Sequence, residues 1–149
     1  MILPDFKAFP RGGRILGIDW GARRIGVAVS DLSWGFVFVR DAVVVARGAN
    51  NHADLIARLA KAEDVKGVII GLPVRGDGTE SETSRMVREF ADSLARQIDL
   101  PICFIEENLT SAAAQESMGR VRVRDLKEKL DSEAAKVILE NAIAMIKRA

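Results

Sequence analysis

Apolar positions along this chain switch between two rhythms. Short runs dense in Ile, Val and Phe predict strands at 14–19, 24–30, 36–45, 67–71 and 102–106. Between them apolar residues return at helical spacing. Ala53, Ile56, Ala57, Leu59 and Ala60 mark a helix over 50–64, and further helices follow at 79–98, 110–118 and 131–148. Thr79 and Glu82 have the spacing of a capping box at the second helix. LPVRGDGTE, 72–80, reads as a loop from its Pro and Gly residues, and 120–130 as a basic loop. Three strands in a row predict an antiparallel meander, and the strand–helix alternation after them predicts parallel crossovers. The expected fold is α/β: a mixed five-stranded sheet with helices on both faces.

Composition narrows the class without choosing a function. The 149 residues suit one domain with a core, 48% of them hydrophobic and 29% charged. The reading is a short, mobile N-terminal extension over 1–13 (MILPDFKAFPRGG) and a single domain over 14–149. Lys and Arg number 22 against 21 acids, so any nucleic-acid-binding surface must be local. No apolar run is long enough for a membrane helix and no signal core opens the chain. The one cysteine, Cys103, sits in the apolar run PICFI and reads as inert core. Without a disulfide framework, a cytoplasmic location is expected. The single histidine, His52, has no second His or Cys to complete a zinc site.

The candidate chemistry lies at element ends. GIDWGARRIGVAVSD, 17–31, places Asp19 at the end of an apolar strand and Arg23 and Arg24 in the turn beyond it. Glu106 and Glu107 end the fifth strand, and Asp131 opens the last helix. Carboxylates gathered at one sheet edge repel one another unless a cation lies between them, and oxygen ligands suit Mg²⁺ or Mn²⁺. Each acid also has a plain reading: Asp19 as a turn residue, the glutamates as an exposed strand end, Asp131 as a helix cap with Ser132 competing. Alternation separates Glu106 from Glu107 but does not say which faces Asp19. Asp131 stands in line with Ala134, Ala135 and Ile138, the stripe expected to meet the sheet. Trp20 reads as a core residue, with stacking on a base as the alternative.

Four stretches in order carry a family resemblance: GIDWGARRIGVAVSD, GLPVRGDGTES, IEENLTSAAA and DSEAAKVILENAI. Together they resemble the YqgF family of RuvC-like, ribonuclease H-fold proteins, described as Holliday junction resolvase-like and as pre-16S rRNA nucleases. The similarity runs from about Arg14 to the C-terminus. It implies a catalytic, metal-binding triad of Asp19, Glu107 and Asp131 holding Mg²⁺ or Mn²⁺. It also implies a cleavage that leaves a 5′-phosphate. Where the family usually has Asp-Glu-Arg-Leu-Thr-Thr, this chain has Glu106, Asn108 and Ser111 in place of Asp, Arg and the second Thr.

The nucleic-acid contacts expected beside the triad are Arg23, Arg24, Thr110, Arg120, Arg122 and Arg124. Thr110 and Ser111 also read as caps of the short helix, and the basic segment as a solvated charge run. The expected activity is a metal-dependent phosphodiesterase that processes the 5′ end of precursor 16S rRNA, with the ribosomal particle as a possible partner. The alternatives are an endonuclease acting on DNA junctions and a non-catalytic RNA-binding assembly factor. Nothing in the sequence chooses between monomer and homodimer. An actin-like or sugar-kinase-like ATPase would need two such domains, and Asp77 stands where a phosphate-binding loop, read from Gly71 and Gly76, needs Lys.

Overall fold

The structure, a computed structural model, describes residues 1–75, 77, 79–107 and 123–148, with backbone alone over 123–131. Five strands form one sheet: β1 (Ile15–Asp19), β2 (Arg24–Ser30), β3 (Val37–Val44), β4 (Gly67–Pro73) and β5 (Ile102–Glu107). Their order is β3-β2-β1-β4-β5. β1 pairs antiparallel with β2 and β2 with β3, whereas β4 runs parallel to both β1 and β5. The helices are α1 (His52–Ala62), α2 (Glu82–Ala95) and α3 (Val123–Arg148). This is the mixed sheet that the hydrophobic rhythm predicts.

The period of two along each strand sorts the core into two layers. Leu16 and Ile18 of β1, with Val68 and Ile70 of β4, join Ile56 of α1 and Leu94 of α2 in one cluster. Ile15 and Ile69 join Ala135, Ile138, Leu139 and Ala142 of α3 in the other. The central strands are thus covered on both sides, which is why they read as nearly unbroken apolar runs. β3 forms an edge and keeps Phe38, Val39 and Val44 largely exposed.

Several local expectations are corrected. α2 is capped by Ser81, whose hydroxyl accepts from the Ser84 amide while Ser84 Oγ accepts from the Ser81 amide. Thr79 lies two residues before that cap, and its hydroxyl donates to Asp77 at 2.7 Å. α3 begins at Val123, so 123–130 is helix rather than loop, and Asp131 is not a cap. Ser132 is buried within the same helix and donates to the Arg40 carbonyl at 2.6 Å. The expected helix over 110–118 lies outside the described residues.

The N-terminal extension is tied down rather than mobile. Ile102 donates to the Met1 carbonyl at 2.8 Å and Leu3 donates to the Ile102 carbonyl at 2.7 Å. Phe9 is buried against the bare face of Gly67, where a Cβ would stand 2.6 Å from its ring. The segment therefore covers the outer edge of β5, whose backbone groups would otherwise be open to pairing with another chain.

Candidate active site

Asp19 pairs with Gly26 across the β1–β2 ladder, and Gly26 shares its face of β2 with Ala28, a member of the α3 layer. Asp19 therefore ends β1 on the face that α3 covers. On β5, Cys103 and Ile105 belong to that same layer, so alternation places Glu107 with them. The contacts agree. A Cβ added to Gly71 of β4 would stand 3.0 Å from Glu107 Oε1 and 2.5 Å from Ile138 Cδ1 of α3. Gly71 thus leaves the space that the Glu107 carboxylate and the helix share. β4 lies between β1 and β5, so the two carboxylates flank the strand that carries Gly71.

A second glycine lets α3 come close. At Gly17, two residues before Asp19 on the same face, a Cβ would stand 2.8 Å from Leu139 Cβ and 3.0 Å from the Ala135 carbonyl oxygen. Ala134, Ala135 and Ile138 are buried, as the stripe predicts. Asp131 lies one helical turn before Ala135 on this helix. Its side chain lies outside the described residues. Among the described residues no group of three His, Cys, Asp or Glu side chains is gathered for a metal ion.

Glu106 goes the other way. It is exposed beside Arg88, Phe104 and Leu72, so it stands on the opposite face from Asp19 and the strand pleat separates the two glutamates. The guanidinium of Arg88 lies 5.2 Å from the centre of the Phe104 ring and binds both carboxylate oxygens of Glu80, at 2.7 and 2.6 Å. That pair holds Glu80 below the usual carboxylate range and Arg88 above its ordinary value. Asp77 is likewise lowered, because the Thr79 hydroxyl and amide both donate to it. These bonds fasten the segment after β4, and the Val74 amide joins it to the Glu107 carbonyl at 3.2 Å.

The turn after Asp19 needs its glycine, since a Cβ at Gly21 would run into the Arg24 carbonyl. Arg24 begins β2 on the face of Asp19 and is half-buried, with its Nη1 shut off from solvent. Arg23 is exposed in the turn. Thr110, Arg120 and Arg122 lie outside the described residues, and Arg124 is described only as backbone of α3. Sequence reasoning missed Gly71 as a site residue. Its signal was a glycine inside an apolar strand, which marks close approach of another group.

The donors fit a hard divalent cation. They are carboxylate oxygens, Glu107 Oε2 is shielded from solvent, and Gly71 keeps a side chain out of the cradle. A family described as RuvX, Holliday junction resolvase, matches residues 13–145. The chain belongs to the RuvX family. A relative from Maridesulfovibrio salexigens is 38% identical over 133 residues, covering 88% of this chain and 98% of that protein. One from Sphingopyxis alaskensis is 36% identical over 148 residues, covering 97% and 96%. Both carry the name "Putative pre-16S rRNA nuclease". Thermus thermophilus RuvC, solved with a Holliday junction substrate, superposes with a TM-score of 0.56 at 11% identity, over 91% of this chain and 96% of its own. That likeness is one of fold, and with the strand order it makes this RuvX chain's sheet RuvC-like. Among the described residues no helix is long and apolar enough to cross a membrane.

Proposed function

We propose that this RuvX chain is a metal-dependent nuclease that hydrolyses phosphodiester bonds and processes the 5′ end of precursor 16S rRNA in the cytoplasm. The observation that carries the reading is the pair Asp19 and Glu107, on one face at the ends of two strands that flank Gly71. Asp19, Glu107 and Asp131 are the residues proposed to hold Mg²⁺ or Mn²⁺. A bound divalent ion supplies activation of the attacking water and neutralises charge on the phosphate. The protein's own part is orientation. Glu107 is held by its backbone tie to Val74 and by the wall of Ile138. The shielding of Glu107 Oε2 from solvent strengthens its charge.

Arg23 and Arg24 follow Asp19 directly and would meet phosphate oxygens. Thr110, Arg120, Arg122 and Arg124 would extend that track along the strand. RNA is favoured because the named relatives carry a pre-rRNA description; trimming needs one site, so a single copy suffices, whereas a junction resolvase works as a symmetric pair.

The test is cleavage of a labelled 16S precursor leader and of a four-way DNA junction, each with Mn²⁺ or EDTA, by wild type and Asp19→Asn. Leader cleavage that requires both the ion and Asp19 supports the reading. Junction cleavage alone would make this chain a resolvase. Undiminished cleavage by Asp19→Asn would refute the mechanism, and no cleavage of either substrate would point to a binding factor.

A further inference from the structure

On the face of the sheet opposite Asp19 there is a cleft of about 300 Å³ between the start of α1 and the flank of α2. That volume is at the lower end of the range for small-ligand pockets. Trp20 and His52 meet in it as a stacked pair, with ring centroids 5.4 Å apart and planes 28° from parallel. His52 is fixed by a hydrogen bond of 2.8 Å between its Nε2 and the Ala22 carbonyl. The carbonyl can only accept, so Nε2 carries the proton. Trp20 is half-buried against the core, and its indole N–H, shielded from solvent, has no acceptor among the described residues.

The lining chooses between kinds of ligand. It includes no Lys or Arg, and its carboxylates are Asp54 and Glu89. A phosphate is repelled there. A flat, uncharged ring is not, and the carboxylates can accept from an amino group on it. Asn50 and Asn51 add amides, and the Asn51 side chain makes no capping hydrogen bond to α1. We propose that this cleft is a nucleobase subsite. It takes one unpaired, amino-bearing base, such as adenine, by extending the Trp20–His52 stack. The proposal rests on the nuclease reading: the cleft opens on the other face of the sheet from Asp19, so the base would belong to a nucleotide beyond the one whose phosphate is cut.

The test uses wild type and His52→Ala in EDTA, where nothing is cut. Each is titrated with a labelled adenylate pentamer and with an abasic pentamer, and binding is followed by fluorescence anisotropy. Stacking on an aromatic predicts that the abasic pentamer binds wild type roughly 5- to 150-fold more weakly. His52→Ala should lose most of that ratio while keeping its affinity for the abasic chain. Tryptophan emission of wild type gives a second reading that needs no variant. It should be quenched by adenylate and not by the abasic pentamer, with buried Trp34 as a constant background. Equal affinity for the two pentamers, or unchanged emission on adenylate, overturns the subsite and leaves the nuclease reading standing. Failure of wild type to bind either pentamer also overturns the subsite, whereas the nuclease reading stands or falls on leader cleavage with Mn²⁺.

Discussion

Replacing Gly71 by alanine tests whether the space beside Glu107 matters for stability or for chemistry. The added Cβ would stand 2.5 Å from Ile138 Cδ1, 3.0 Å from Glu107 Oε1 and 3.2 Å from Glu107 Cδ. The Ile138 methyl ends a flexible side chain and can turn away. The carboxylate must then give by a few tenths of an ångström. Overpacking of this kind costs about 1–3 kcal/mol. Stiffening the unfolded chain returns about 0.4–1 kcal/mol of that. The expected net loss is therefore about 1–2 kcal/mol, or about 2–8 °C in Tm for a chain of this length. Activity should fall further than stability, by about 10- to 100-fold, as it does when groups supporting a metal ligand are disturbed. Thermal unfolding and the leader-cleavage assay read the two effects separately. Adding Ile138→Val should recover most of the lost Tm and little of the lost rate. If Gly71→Ala cleaved at the wild-type rate while its Tm fell as predicted, Gly71 would be a packing glycine and the carboxylate cradle would be a wrong inference.

Gly17→Ala should show the opposite balance, because its Cβ would meet the Ala135 carbonyl and Leu139 Cβ, which move only if the helix moves. A stability loss of about 3 kcal/mol is expected by urea unfolding, larger than for Gly71→Ala. Phe9→Ala removes a buried ring and should cost about 3–5 kcal/mol by the same measurement; a loss under 1 kcal/mol (roughly, well below that range) would mean that the N-terminal segment is not part of the core. Cys103 is pushed up to about 11, first by burial and then by the charge of Asp5. A raised thiol favours the protonated form in the folded state. Its contribution to stability is therefore complete below the unfolded value near 9 and is lost as pH climbs toward 11. The native protein should be inert to a thiol reagent at pH 8 and react once unfolded; rapid native reaction would show that the segment over Cys103 opens.

The sheet and its two helical layers were legible because strand and helix periods differ so plainly in this chain. Asp131 was misjudged for a physical reason. The stretch RVRVRDLKEKL, 120–130, is rich in charge and reads as a basic loop with the helix opening at Asp131, yet Leu126, Leu130 and Ala134 repeat at helical spacing. Helix therefore runs through Asp131 from Val123. The choice between Glu106 and Glu107 was beyond periodicity, which fixes that they differ but not which face α3 will cover. Thr79 and Ser81 both suit a cap, and the start of α2 at Glu82 puts Ser81, which accepts from the Ser84 amide, in that position. The pairing of Trp20 with His52 joins residues from separate elements, and no local pattern announces it.

The tie between Leu3 and Ile102 has a consequence for time as well as shape. Its partners are separated by most of the chain, and closing so long a loop is entropically slow to reward. During synthesis the opening residues emerge long before β5 exists to receive them. The strand that ends in Glu107 therefore gains its outer partner only when the last part of the sheet is made. A nascent chain halted before Ile102 would carry Phe9 and the free edge of β4 without the strand that covers them, a state exposed to mispairing and one that a ribosome-bound folding experiment could catch.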